Sequence, residues 1–370
     1  MRKLSSKTIL GMSNLNTYLE ERGSFRINQK HPFNDIDAMV LARISYLPLD
    51  KIALRNRETI KSVCLKLNKL KPKDFRWPDD VILTKNLLNS ERFCKMRLVK
   101  YVKNNSRASE RQFSAVTIQM NFSTMYLSFF GTDDSVTGWK EDFNLAIMDV
   151  IPAQEEGAEY LKKLHRHYFW KKIYMGGHSK GGNVAMYAAL TAPDSYQRKM
   201  IKIYNFDGPG LRKGTAALDV GAEKVLKKIH SFIPQDSIIG RLFEHTEGFT
   251  VVESVSKSFY QHDIYSWQVS GAKLVKSEST RASDLVDKTI TNWLESASME
   301  EKKIFIDGMF KIFDEANVKG PLDLKARWLK YAPILARAYM NTPKENRKVI
   351  VKVWKKLGVA FLKARKGKDA

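Results

Sequence analysis

The chain has 370 residues, enough for one large domain with an extension, and its apolar content of 43% indicates a packed core. It carries 63 Lys and Arg against 40 Asp and Glu, and the resulting formal charge of +23 favours an anionic partner. Its two cysteines exclude a disulfide framework or a cysteine-rich metal cluster, and no apolar run approaches the length of a membrane span. With no signal-peptide pattern, the expected location is the cytoplasm, at most peripheral to a membrane.

The first third of the chain is predicted to be helical. Between Phe33 and Leu47 the apolar residues recur at helical spacing, and Pro48 follows as a stop. Residues 50–112 are expected to continue as helical segments that are interrupted at prolines. We therefore assign residues 1–112 to an N-terminal helical flank or lid.

A core of alternating strands and helices is predicted for residues 113–275. This alternation favours a mostly parallel sheet that is covered by helices on both faces. The strands are expected in six apolar stretches: Ala115–Met120, Thr124–Phe130, Ile173–Met175, Lys202–Phe206, Lys228–Ile233 and Thr250–Val255.

Residues 276–370 are predicted to form a helical and basic C-terminal extension. The last 52 residues, 319–370, contain fifteen Lys and Arg and three Asp and Glu, a net charge of +12. Apolar residues such as Ile350, Val353 and Trp354 recur there at helical spacing among lysines. Such a stripe commonly packs against its own domain, but it also suits docking on anionic lipid. Among anionic partners, we expect a membrane surface ahead of nucleic acid.

The pattern G-x-S-x-G occurs once with a strand candidate before it and a small-residue helix after it, at Gly177-His-Ser-Lys-Gly181. This is the layout of a nucleophile elbow, a sharp strand–turn–helix in which a Cβ at either glycine would collide with the neighbouring element. The alternative is a glycine-rich turn or a phosphate-cradling loop. Since the chain has no G-x-x-x-x-G-K-[ST], a nucleotide loop has little support. Ser179 is the predicted nucleophile.

A serine nucleophile requires a base, and in proteins with this elbow the chain order is serine, acid, histidine. Three histidines follow Ser179. His230 lies inside a strand pattern, and His245 lies in a polar stretch typical of a surface loop. His262 follows the last predicted strand in an aromatic segment, and we predict it as the base.

The acid is expected between the serine and the histidine. Asp236 stands just beyond a predicted strand, at the edge where an open parallel sheet places its site residues. Asp207 also ends a strand and is the alternative, although Asp207-Gly-Pro-Gly reads equally well as a turn. We favour Asp236.

Two backbone N–H groups are needed to stabilise the oxyanion, one from the residue after the nucleophile and one from a loop after an earlier strand. Lys180 occupies the first position. Thr132 occupies the second, and its hydroxyl is a further candidate donor. The alternative for Gly131-Thr-Asp-Asp134 is a polar turn.

Several segments together resemble an uncharacterised bacterial family of lipase-like α/β-hydrolases that is related to the class 3, fungal-type lipases. The resemblance covers about residues 30–270 and implies an α/β-hydrolase fold. It also implies Ser179 as nucleophile, His262 as base, Asp236 as acid, and Thr132 with Lys180 as oxyanion donors. Lys180 departs from the class 3 lipases, which usually carry leucine there. The matching segments are Phe33–Ala38, Tyr46–Pro48, Phe130–Ser135, Trp139–Phe143, Gly177–Asn183, Pro234–Ile239 and Gln261–Trp267.

The sequence therefore predicts a serine hydrolase that cleaves carboxylic esters, above all lipid acyl esters, through a Ser-His-Asp triad and an acyl-enzyme. No cofactor or metal is expected. Thioesterase and peptidase activities stay open, because the same constellation serves all acyl transfer. The alternative function is that of a non-catalytic protein that binds an anionic membrane or a nucleic acid on a hydrolase scaffold.

Overall fold

The structure is a computed structural model that describes residues 13–106, 110–133, 135–212, 214–218 and 222–366. The ends of the predicted N-terminal and C-terminal parts lie outside the described residues. Asp134, at the end of the predicted Gly131–Asp134 turn, lies outside them as well.

A central sheet of eight strands organises the described part of the chain, and neighbouring strands follow each other in sequence. The first four strands pair antiparallel, whereas the fourth to the eighth pair parallel. The prediction of a mostly parallel central sheet is confirmed. The strands are β1 (Glu58–Thr59), β2 (Arg97–Ser106), β3 (Arg111–Gln119), β4 (Thr124–Phe129), β5 (Lys172–His178), β6 (Met200–Phe206), β7 (Ile229–Pro234) and β8 (Phe249–Val252), and a separate hairpin pairs β9 (Val269–Ser270) with β10 (Lys273–Leu274).

Helices cover both faces of this sheet because its parallel strands carry apolar side chains on both sides. On one face, Tyr126, Tyr204 and Phe206 pack under four N-terminal helices. On the other face, Met125 and Leu127 pack under the helices that connect the parallel strands. The helices of the first face are α1 (Leu15–Arg22), α2 (Asp35–Ile44), α3 (Ile60–Leu67) and α4 (Pro78–Asn89), and the connecting helices are α5 (Val136–Asn144), α6 (Pro152–Tyr168), α7 (Lys180–Leu190), α8 (Asp194–Gln197) and α9 (Glu223–Leu226).

Of the helical flank or lid predicted for residues 1–112, the described helices form the flank, on one face of the sheet. Helix α2 is buried along nearly its whole length, so this region forms a layer of the domain rather than a cover above it. The prediction of helices throughout residues 50–112 is wrong, since β1 and β2 lie there and join the central sheet. Lysines and asparagines occupy the outward positions of β2, which left only a short apolar signal at Leu98 and Val99.

In its described residues, the predicted C-terminal extension consists of five helices, which we call the C-terminal helical unit. It has its own small core, in which Ile350 and Val353 pack with Phe305 and Phe310. Its members are α10 (Arg281–Ser296), α11 (Met299–Glu315), α12 (Pro321–Ala326), α13 (Trp328–Asn341) and α14 (Lys344–Lys366). Within the described ranges, none of the helices has the length and apolar character needed to cross a bilayer.

Candidate active site

Ser179 occupies the turn between β5 and α7 in a strained backbone conformation. Its φ of 59° and ψ of −138° lie where a side chain is rarely tolerated, at a cost of about 1–3 kcal/mol. The turn is held by backbone hydrogen bonds. The N–H of Ser179 donates to the carbonyl of Phe206 at 2.9 Å, and that of Gly182 donates to the carbonyl of Ser179 at 2.9 Å. These contacts place the serine at the carboxyl end of β5.

Two glycines allow this turn to press against the end of β4. A Cβ added to Gly177 would lie 2.5 Å from both the carbonyl oxygen of Phe129 and the backbone of Gly181. A Cβ at Gly181 would lie 2.2 Å from the same Phe129 oxygen. Any side chain at either position would therefore force the strand and the helix apart.

His262 lies beside this turn, at the end of a short 3₁₀ segment, Ser258–His262. Its ring centroid is 4.5 Å from that of His178, the residue before the serine. The Nε2 atom of His178 lies 2.7 Å from the carbonyl oxygen of His262. Burial lowers the pKa of His178 well below its ordinary value. His178 is thus a neutral ring that donates to the His262 backbone and holds it at the elbow.

The carboxylate that contacts His262 belongs to Asp207, with its Oδ2 atom 2.6 Å from Nδ1 of the imidazole. Asp207 follows β6 directly and is only 1% exposed. Its other oxygen, Oδ1, accepts hydrogen bonds from the Ser237 hydroxyl at 2.5 Å and the Gly240 N–H at 3.2 Å. One oxygen is thereby fixed by the protein, and the other is directed at the imidazole.

Asp236, the acid favoured from the sequence, does not contact the imidazole in this structure. Its backbone N–H donates to Oε1 of Gln261 at 2.7 Å, and its carboxylate accepts from Nε2 of Gln261 at 3.2 Å and from the Thr280 hydroxyl. The expected pairing of Asp236 with His262 is therefore wrong. In the turn after β7, Ser237 contacts Asp207, whereas Asp236 contacts Gln261, the residue before His262. Asp236 therefore stabilises the segment that carries His262.

A single phenol joins this turn to the loop after β4. The hydroxyl of Tyr46 donates to the carbonyl of His178 at 3.1 Å and accepts from the N–H of Gly131 at 3.1 Å. Burial raises the pKa of Tyr46 to about 12, so the hydroxyl keeps its proton. Sequence reasoning assigned Tyr46 no function, and its only signal was its place in the Tyr46–Pro48 segment of the resemblance.

Thr132, the predicted second oxyanion donor, lies on that loop. Its hydroxyl donates to Asp142 Oδ1 at 2.6 Å, and its carbonyl accepts from the Arg76 guanidinium at 2.6 Å. The hydroxyl proton is thus used in the hydrogen bond to Asp142. The backbone N–H of Thr132 is therefore the group that remains as a candidate oxyanion donor. Desolvation raises the pKa of Asp142 to about 6, although its side chain keeps 31% exposure.

The side chain of Lys180 points into the protein and is 1% exposed. Its Nζ atom lies 2.5 Å from Oε2 of Glu141 and 3.2 Å from Oε1 of Gln112. Glu141 also accepts from the N–H of Ala153, at the start of α6. The buried carboxylate therefore connects α5, α6 and α7 and accounts for the lysine at this position.

The backbone N–H of Lys180 lies in the first turn of α7, where N–H groups have no acceptor within the helix. The positive end of the helix dipole also lies there, and both features favour negative charge. The N–H of Lys180 can therefore serve as the first oxyanion donor while its side chain remains buried.

The other two histidines considered from the sequence lie apart from His262. His230 is on β7 with its ring centroid 5.8 Å from that of Tyr204, and burial lowers its pKa. His245 lies in a surface loop, as predicted, but its own side chain is 4% exposed and its Nδ1 lies 2.8 Å from Glu247.

A cleft that is too narrow to hold a water molecule lies beside the imidazole. The ring of Phe259 stacks over His262 with a centroid distance of 6.1 Å and is 55% exposed. The remaining walls are partly apolar, and together the lining residues are Asp207, Ser237, Ile238, Ile239, Ser258, Phe259 and His262.

A mostly parallel sheet covered on both faces, with a serine in a strained strand–turn–helix, defines the α/β-hydrolase fold. The sequence model of the Mbeg1-like family matches residues 87–311, and the chain belongs to that family. No curated protein sequence matches the chain.

Several solved lipase structures are similar to this one. Lipase II from Rhizopus niveus is 15% identical, with 59% of this chain and 80% of that chain covered and a TM-score of 0.31. Lip2 lipase from Yarrowia lipolytica is 14% identical, with 46% and 68% covered and a TM-score of 0.31. Rhizomucor miehei lipase, in a propeptide complex, is 13% identical, with 60% and 68% covered and a TM-score of 0.35.

The replacement Glu141→Gln should lower the free energy of unfolding by about 3–5 kcal/mol, because the buried charge of Lys180 would lose its carboxylate. The double replacement Glu141→Gln with Lys180→Met removes that charge and should recover most of the loss. Urea unfolding followed by tryptophan fluorescence measures both. A double variant as unstable as the single one would show that the ion pair does not determine this stability.

The replacement Asp142→Asn should change how stability depends on pH. The folded-state pKa is raised from 3.8 to about 6, so the unfolded chain releases this proton first and stability falls as pH rises between these values. The variant should lack this part of the fall. Urea unfolding at intervals from about pH 4 to pH 7 compares the two proteins. A constant difference between them over that range would contradict the assignment.

Proposed function

We propose that this protein is a serine hydrolase that cleaves carboxylic esters, with acyl esters of lipids as its substrates. The observation that carries the proposal is the 2.6 Å contact between His262 Nδ1 and Asp207 Oδ2, beside a serine held in a strained elbow. Strain at a polar residue on the rim of a parallel sheet is typical of catalytic nucleophiles. In this proposal the triad is Ser179, His262 and Asp207.

Asp207 fixes the tautomer of the base. Because its ionised Oδ2 accepts a proton-bearing nitrogen, Nδ1 of His262 carries the hydrogen and Nε2 presents its lone pair. Nε2 then removes the proton of the Ser179 hydroxyl as Oγ attacks the ester carbonyl carbon. The buried carboxylate stabilises the imidazolium that results.

The tetrahedral intermediate places negative charge on the former carbonyl oxygen. The backbone N–H groups of Lys180 and Thr132 donate to it, and the start of α7 adds its dipole. When the intermediate collapses, the bond to the leaving oxygen breaks and His262 returns the proton to the alcohol. Water activated by the same imidazole then attacks the acyl group on Ser179 and releases the carboxylic acid.

Lipid acyl chains fit the chemistry of the walls around the imidazole. Ile238, Ile239 and Phe259 line the cleft, and Phe259 and Tyr260 expose their rings at its rim. The cleft is too narrow to hold a water molecule, so it does not enclose a ligand as pockets of about 300–1,000 Å³ do. A bound acyl chain would extend from the cleft across this exposed aromatic rim.

The replacement Ser179→Ala should abolish hydrolysis of p-nitrophenyl acyl esters and labelling by a fluorophosphonate, because no other group takes the place of its Oγ. The control is Ser123→Ala, an exposed serine just before β4 and so at the opposite edge of the sheet. It should keep wild-type labelling. If Ser179→Ala were labelled as strongly as the wild type, the proposed nucleophile would be wrong.

Replacing each of the two candidate aspartates distinguishes the observed geometry from the sequence expectation. Asp207→Asn should lower kcat about 10⁴-fold, since an amide cannot hold the imidazole in the same tautomer. Asp236→Asn should lower it about tenfold or less, because it weakens only hydrogen bonds to the supporting loop. Steady-state kinetics on one ester measures both, and the reverse order of effects would return the role to Asp236.

A further inference from the structure

The positive charge of the chain is concentrated in the second half of the C-terminal helical unit, from α12 onward. Residues 319–370 carry a net +12 of the total +23. Helix α14 carries apolar residues on the side that faces the unit's core and several lysines on the opposite side. Ile350, Val353 and Ala360 pack inward. The opposite side is an exposed stripe at spacings of three, four and seven residues, formed by Lys344, Lys348, Val351, Lys355 and Leu362.

A groove of about 500 Å³ adjoins this stripe, between the end of α13 and α14. Two of its cations are paired, Lys348 with Glu345 and Lys352 with Glu301. Among the described residues, no carboxylate lies within 4 Å of Lys344, Arg347 or Lys355. The groove therefore offers unneutralised positive charge to a partner. It is lined by Tyr339, Lys344, Arg347, Lys348, Val351, Lys352 and Lys355.

Exposed apolar side chains are frequent on the same two helices, and Val351 also lines the groove. Among the described residues, nine of the 21 exposed large apolar side chains lie between residues 328 and 362. Leu329 is 89% exposed, and Leu362 is 55% exposed. The nine residues are Trp328, Leu329, Ile334, Met340, Val351, Trp354, Val359, Phe361 and Leu362.

The combination of cations and apolar side chains decides between two anionic partners. A nucleic-acid backbone neutralises lysines but leaves aliphatic side chains in water. An anionic bilayer neutralises the lysines at its headgroups and accepts the aliphatic side chains in its interface. We propose that the α13–α14 face docks on anionic phospholipid membranes, with headgroup phosphates in the groove and the apolar side chains in the interface.

This docking face is connected to the candidate active site through α5. On one side of α5, Trp139 and Phe143 pack against α11, with ring centroids 6.1 Å from Phe313 and 5.6 Å from Phe310. The salt bridge from Lys140 to Asp307, at 2.9 Å, adds a polar contact. The same helix carries the carboxylates that hold Lys180 and Thr132. Docking itself requires none of the catalytic groups.

The test is co-sedimentation of the full-length protein with phosphatidylcholine vesicles that contain or lack phosphatidylglycerol. The wild type should bind only the anionic vesicles, and less strongly as salt rises, because the attraction is screened. The variant Lys344→Gln/Arg347→Gln/Lys355→Gln should bind about 100-fold more weakly near 0.1 M salt, since each of the three cations near such a surface contributes about fivefold. Circular dichroism verifies that the variant is folded.

A matched control removes the same charge elsewhere. Lys61, Lys69 and Lys73 are exposed on or just after α3, and their replacement by glutamine should leave vesicle binding at the wild-type level. The variant Val351→Ser/Leu362→Ser should weaken binding without any change in charge. Ser179→Ala should bind like the wild type, so a failure of the catalytic proposal would not be mistaken for a failure of docking.

Three outcomes would overturn the proposal. The first is no binding to anionic vesicles, and the second is equal loss of binding in the groove variant and the matched control. The third is binding to duplex DNA or RNA without binding to vesicles, which would assign the basic face to nucleic acid.

Discussion

The candidate site depends on how closely the start of α7 approaches the end of β4. With side chains at Gly177 and Gly181, the backbone of Phe129 would stand 2.2–2.5 Å from their Cβ atoms. Because both positions are glycine, the end of β4 and the start of α7 pack closely together. Ser179 is thereby held in a strained backbone conformation. The loop after β4 and His262 are connected to this turn through Tyr46 and His178.

Helix α5 connects the site to the rest of the molecule. Its inward carboxylates, Glu141 and Asp142, hold Lys180 and Thr132, and its outward rings, Trp139 and Phe143, pack on the C-terminal helical unit. Short-range sequence patterns did not reveal this role, because Lys180 and the aromatic residues of α11 are distant from α5 in the chain. The lysine that looked out of place in the elbow is explained only by a glutamate 39 residues before it.

The same distinction between local and distant causes explains what the sequence could predict. The elbow and the parallel strands were predictable, because glycine spacing and apolar runs are local signals. The choice between Asp207 and Asp236 was not, since both end strands and only the path of the loop after β7 decides which one meets His262. Strand β2 was missed because its pairing with β3, rather than its own composition, makes it a strand.

The hydroxyl of Tyr46 limits how far the chain can be shortened without disturbing the candidate site. The family match begins at residue 87, whereas this one oxygen, contributed from far upstream, bridges the Gly131 N–H and the carbonyl before the serine. A fragment trimmed to the matched region would retain the serine, the histidine and both aspartates. It would lose the Tyr46 hydroxyl, which sets the spacing between the loop after β4 and the turn that carries Ser179. The region of sequence similarity is therefore shorter than the part of the chain that the candidate site needs. That part also includes the N-terminal helices.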